Sequence, residues 1–104
     1  MSPEPRSSVN IYFEYEVRTR QDQSQPFSEG NCSFFKDITK VTVDGVSLRP
    51  NGKIPYSALW QAEQAFINFF EEKYLDEKLI SWSSFDEEHV ILSKYELKSN
   101  RYSK

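Results

Sequence analysis

Residues 56–79 read YSALWQAEQAFINFFEEKYLDEKL, and their periodicity decides the fold. At about 100° per residue, Leu59, Ala62, Phe66, Phe69 and Phe70 fall on one stripe, with Ala58 and Ala65 at its edge. Gln61, Gln64, Asn68, Glu71 and Glu72 are left for solvent. One amphipathic helix over 56–79 is therefore predicted, entered through Pro55 or Ser57 in its first turn. Trp60, Ile67 and Tyr74 form a second apolar line, seven residues apart, beside the first. The combined arc of roughly 200° is wider than the roughly 100° that suffices to face a core. This excess is the clearest functional signal in the chain. Trp60, Glu63, Ile67 and Tyr74 are accordingly the candidate partner-binding residues, since Trp and Tyr are enriched at interface hot spots.

Upstream the period changes from 3.6 to 2. In residues 9–20, Val9, Ile11, Phe13, Tyr15 and Val17 alternate with Asn10, Tyr12, Glu14, Glu16 and Arg18. This is the signature of a strand with one buried and one wet face. Residues 21–31 are polar, contain Pro26 and Gly30, and predict a loop longer than a tight hairpin needs. Residues 31–43 are strand-like, but the alternation slips: Phe35, Val41 and Val43 share one parity, Phe34 and Ile38 the other. A bulge or break near Lys36-Asp37 is the expected repair. Val43-Asp44-Gly45-Val46 carries a two-residue hairpin signal, because Asp-Gly tolerates the positive φ of a type I′ turn. A short strand over 46–49 follows, closed by Pro50-Asn51-Gly52. Beyond the helix, 79–85 and 89–98 predict a second hairpin around Asp86-Glu87-Glu88, rich in strand-forming Ile80, Trp82, Val90, Ile91 and Tyr95.

The expected fold is a single two-layer α+β domain over residues 9–98. An antiparallel sheet in the order β-β-β-α-β-β has one long helix packed on one face. Residues 1–8 read as a disordered lead-in and 99–104 as a polar tail. Phe13, Tyr15, Leu59, Phe66, Phe70 and Ile91 are the expected core.

Composition bounds the function. A chain of 104 residues with eight Phe, six Tyr and two Trp supports one unstapled core. The net charge of −3 argues against non-specific binding to duplex DNA or an anionic membrane. No apolar run approaches the roughly 20 residues that span a bilayer, and no signal peptide is visible. A single cysteine, Cys32, makes no internal disulfide, so a reducing cytoplasm is the expected setting.

Catalytic chemistry finds little support. One histidine and one cysteine do not make a four-ligand zinc site. His89 reads as a surface histidine beside three acids, and Cys32 as a small inert hydrophobe. No glycine-rich phosphate loop is present, so no cofactor is expected. The Glu96-Leu97-Lys98 spacing resembles a short motif of some metal-dependent nucleases. A hairpin centred on Glu87 would set Glu96 opposite Lys78, with Asp76 and Glu77 near enough to hold Mg²⁺; the plainer reading is a surface ion pair. No metal site and no enzyme are expected.

The expected function is that of a small non-enzymatic protein-binding module, an adaptor, inhibitor or antagonist acting through a preformed surface. Its partner is another protein or a second copy of the chain, and not a membrane. One alternative is single-stranded nucleic acid held on a sheet face bearing Tyr12, Arg18, Arg20 and Lys36, a reading opposed by Glu14 and Glu16 on that face. The other alternative is a metal-dependent hydrolase using Asp76, Glu77 and Glu96.

Overall fold

The computed structural model describes residues 7–22 and 24–96. The elements are β1 (Ser7–Arg20), β2 (Cys32–Val46), α1 (Tyr56–Lys73), β3 (Lys78–Phe85) and β4 (Ile91–Glu96). All pairings are antiparallel, in the spatial order β2-β1-β3-β4. The helix lies over β1 and β2 on one face of the sheet. The two-layer α+β architecture is the one the period changes predict. Residues 1–6 of the expected lead-in and the tail at 99–104 lie outside the described residues, as do Leu97 and Lys98 of the predicted last strand, whereas Ser7 and Ser8 of the lead-in belong to β1, paired with β2.

The central strand β1 builds the core by strict alternation. Ile11, Phe13, Tyr15 and Val17 are all buried beneath α1. Ala58, Leu59, Ala62, Phe66 and Phe70 meet them from the helix. Phe13 and Phe66 stack with ring centroids 4.5 Å apart, and Trp82 sets its edge against both. Such aromatic pairs add about 0.5–1.5 kcal/mol each beyond their area burial.

Four details differ from the sequence-based expectations. The helix ends at Lys73, not Leu79. After Phe70 the stripe passes to Lys73 and Glu77, and of the next turn only Tyr74 packs on the core. Tyr74 leaves the helix at φ −119° and its ring folds back onto Phe70, at 4.8 Å.

The strand order is β-β-α-β-β, because Asp44-Gly45 is not a hairpin turn. Ser7 pairs with Val46 and Val9 with Val43, so Asp44 and Gly45 together face Ser8. Gly45 adopts φ +70° within this bulge. A positive-φ glycine serves a bulge as well as a turn, and pairing with the first residues of β1 keeps the strand running straight on. The predicted strand at 46–49 is accordingly absent as a separate element. Pro50-Asn51-Gly52 does form a turn, with Gly52 N–H donating to the Arg49 carbonyl at 2.7 Å.

No bulge interrupts β2 at Lys36-Asp37. Its pairing with β1 is regular from Cys32 to Val43. Phe34 and Ile38 therefore stay on the face opposite the helix.

Ile91 is half-exposed rather than core. Ser84 pairs with Ser93 but Phe85 with Ile91, so a bulge at Leu92 turns that side chain toward the core and sends Ile91 to the other face.

Candidate functional site

Among the described residues, a helix covers one side of the sheet only. Register places Phe34, Lys36, Ile38 and Lys40 of β2 beside Arg18, Glu16, Glu14 and Tyr12 of β1, all facing away from α1. On the far side of β1 the same face continues through Lys78, Ser81, Ser83 and Phe85 of β3. Lys94 and Glu96 of β4 complete it. Apolar side chains lie open here: Ile38 is 57 % exposed, Ile91 50 % and Phe34 45 %.

Charge is sorted by face. Arg18, Arg20, Lys36, Lys40, Lys78 and Lys94 share this side with Glu14, Glu16 and Glu96. The chain as a whole carries −3, so the helix side and the loops hold the compensating acids. Arg18, Arg20, Lys36 and Lys40 come from β1 and β2. Antiparallel pairing brings Lys78 and Lys94 to the same face and concentrates them.

One end of the face is built from cations laid on aromatic rings. The Arg18 guanidinium sits 5.4 Å from the Phe34 ring centre, and Arg18 is buried beneath it. Arg20 and Lys78 approach the Phe27 ring at 5.3 and 4.8 Å. Each such contact is worth about 0.5–1 kcal/mol at an exposed site. The loop that carries Phe27 is organised by Asn31, whose side-chain amide donates to the carbonyls of Asp22 and Pro26 and accepts from the Asp22 N–H. Side-chain and backbone hydrogen bonds from Ser24 hold the Asp22 carboxyl below the usual carboxylate range.

The nucleic-acid candidates Tyr12, Arg18, Arg20 and Lys36 thus lie together on one face. Arg18 contributes field rather than contact, because it is buried.

The helix line is divided. Trp60 is 52 % exposed, while Ile67 is half-buried and packs on the core. Glu63 accepts a 2.8 Å hydrogen bond from Ser93, whose hydroxyl lies 2.6 Å from that of fully buried Ser84. Tyr74 turns inward. Its hydroxyl stands 3.3 Å from that of Tyr15 and 3.5 Å from Asp37. Burial, reinforced by Tyr74 and Asp37, pushes the Tyr15 phenol well above the ordinary tyrosine value. These four residues consequently border different surroundings rather than one continuous patch.

The carboxylates nominated for Mg²⁺ do not converge. Glu96 pairs with Ser81, not with the segment at Lys78, and Lys78 pairs with Arg18. The reason is the turn. Asp86 accepts from the N–H groups of Glu88 and Val90, and His89 adopts φ +66°, so the hairpin centre lies beyond Glu87. Glu77 instead accepts from the Thr19 hydroxyl at 3.1 Å. Among the described residues, no group of three or more His, Cys, Asp or Glu side chains is arranged to hold a metal ion.

A cleft of about 300 Å³ lies between the 47–54 loop and the β3–β4 turn, lined by Leu48, Ile54, Asp86, Glu87 and Glu88. The Asn10 amide donates to Glu87 there, which closes part of it. Cys32 is half-buried on the open face, opposite Arg20. Among the described residues, no helix is long and apolar enough to cross a membrane. The chain matches no protein-family model, no curated protein and no solved structure.

Proposed function

We propose that this chain is a non-enzymatic binding module, an adaptor, inhibitor or antagonist, that captures another protein on the open face of its sheet. One observation carries the reading: the uncovered face displays Phe34, Ile38 and Ile91 among cations in a chain that is acidic overall. Exposed apolar side chains rimmed by polar and charged groups are a form that protein contact surfaces take. The complementary partner is acidic around an apolar centre. Electrostatic steering would then speed the encounter and the apolar contacts would hold it. The lone cysteine fits a reducing, cytoplasmic setting.

A second reading, single-stranded nucleic acid, has its own support in the convergence of Tyr12, Arg18, Arg20 and Lys36 with Lys40, Lys78 and Lys94. Stacking platforms within a cationic groove are how such strands are held. Glu14 and Glu16 occupy the middle of the face and oppose phosphate, which places this reading second.

Photo-crosslinking inside the cells that naturally make the protein separates the two. A benzophenone amino acid at Ile38 should give a discrete protein adduct. Lys36→Glu with Lys40→Glu should abolish it, while the same probe at Gln61 on the solvent side of α1 should give none. A nuclease-sensitive adduct at Ile38 would install the second reading. No adduct at Ile38, or the same adduct from Gln61, would overturn the assignment of the face.

A further inference from the structure

We propose that β4 is a dimerisation edge, through which the chain pairs with a second copy of itself about a two-fold axis at Tyr95. Among the described residues the sheet has two edges, β2 and β4, each with no strand on its outer side. An edge strand is a template for another strand unless its side chains forbid the pairing.

The two edges differ in what they allow. On β2, Lys36 and Lys40 stand on one face with Ile38 between them. Antiparallel self-pairing centred on Ile38 would set Lys36 against the partner's Lys40, like charge against like. On β4, Lys94 and Glu96 stand on one face with Tyr95 between them on the other. Self-pairing centred on Tyr95 sets Lys94 opposite the partner's Glu96, and symmetry repeats the pair in reverse. Opposite charges directly across an antiparallel ladder stabilise it, and like charges destabilise it. About these two centres the charge order of β4 is self-complementary under a two-fold, and that of β2 is self-repelling.

The axis also falls on an aromatic. Tyr95 stacks on Trp82 at 5.8 Å with ring planes 19° apart, yet remains 43 % exposed. It would meet the partner's Tyr95 across the axis, an aromatic pair already held in place on one side. The result joins two four-stranded sheets into one and makes the open face continuous across both copies. This inference rests on β4 alone, so the function proposed above and this assembly can fail separately.

Sedimentation of the full chain tests it. The chain of 12.3 kDa should run at twice that mass at high micromolar concentration. Lys94→Glu and Glu96→Lys should each weaken the dimer by about tenfold or more, because each places like charges across the axis twice. The double variant Lys94→Glu/Glu96→Lys should dimerise like the wild type. An equimolar mixture of the two single variants should recover a dimer, since every opposed pair then has opposite signs. Both positions are exposed, so circular dichroism and melting of the single variants should match the wild type. A wild type that stays at 12.3 kDa, single variants that dimerise undiminished, or a double variant and a mixture that remain monomeric would each overturn the proposal.

Discussion

The two faces of one sheet are made by the same strands and do opposite things. On the helix side, Phe13, Tyr15 and Trp82 pack against Phe66 and Phe70 with almost no solvent contact. One residue along each strand, Phe34, Ile38 and Tyr12 look outward among charges. Both faces carry aromatics and aliphatics, so hydrophobicity alone does not separate core from contact surface. What separates them is whether the other layer exists. A single helix of eighteen residues covers one side, while the other is overlain by described residues only at its Arg20–Lys78 end, where Phe27 lies against those two cations. Apolar groups on the first side contribute to folding, and on the second are free to contribute to binding.

The largest effect that should sharpen this contrast is Phe66→Ala. It removes a ring stacked on Phe13 and touched by Tyr15 and Trp82, and a loss of about 3–5 kcal/mol is expected. Urea melts check it. A loss below about 1 kcal/mol would mean that the helix side is not the core.

Ser93→Ala should come next, at about 1–3 kcal/mol, because it strips the buried Ser84 hydroxyl of its partner and Glu63 of a donor. Ser84→Ala, which removes the buried hydroxyl itself, should cost clearly less. Equal losses in the two melts would contradict a relay running Ser84 to Ser93 to Glu63.

A smaller, pH-dependent effect belongs to the helix side as well. Tyr15 in the folded state holds its proton above the ordinary value of about 10. Above about pH 10 the unfolded chain loses that proton while the folded chain keeps it, so the folded state binds more protons and stability falls as pH rises. Below that range the contribution is fully present. Melting midpoints of wild type and Tyr15→Phe should therefore diverge in slope in the alkaline range. Parallel slopes would show that Tyr15 is not held in the buried environment described.

Much of the helix side was legible in the sequence. The alternation of β1 and the Leu59–Phe66–Phe70 stripe are local patterns, and they named both partners of the core. The open face was only half legible. The slip in alternation at Phe34 and Ile38 was visible, but its meaning depends on pairing with β1, a non-local fact. A bulge would have hidden those side chains, and a regular ladder displays them. Asp44-Gly45 failed for a related reason: its positive φ suits a turn or a bulge, and the choice is made by Ser7 and Ser8 across the ladder. The joining of Lys78 and Lys94 to the N-terminal cations required the hairpin register, which the four-residue geometry from Asp86 to His89 decides. The helix end was misjudged because Tyr74 continues the spacing of Trp60 and Ile67, although the stripe that anchors the helix stops at Phe70.

The smallest expected change in stability is the most direct test of the difference between the faces. Ile38→Thr keeps a strand-forming, β-branched residue and removes the most open aliphatic of the cationic face. Measured as a pair, its urea midpoint should match the wild type within about 0.5 kcal/mol, as expected for a surface change. Its capture of the crosslinked partner, with the probe moved to exposed Thr42 on the same face, should be lost. A variant that melts markedly early, or one that keeps full capture, would contradict the claim that one face of this sheet holds the fold while the other meets the partner.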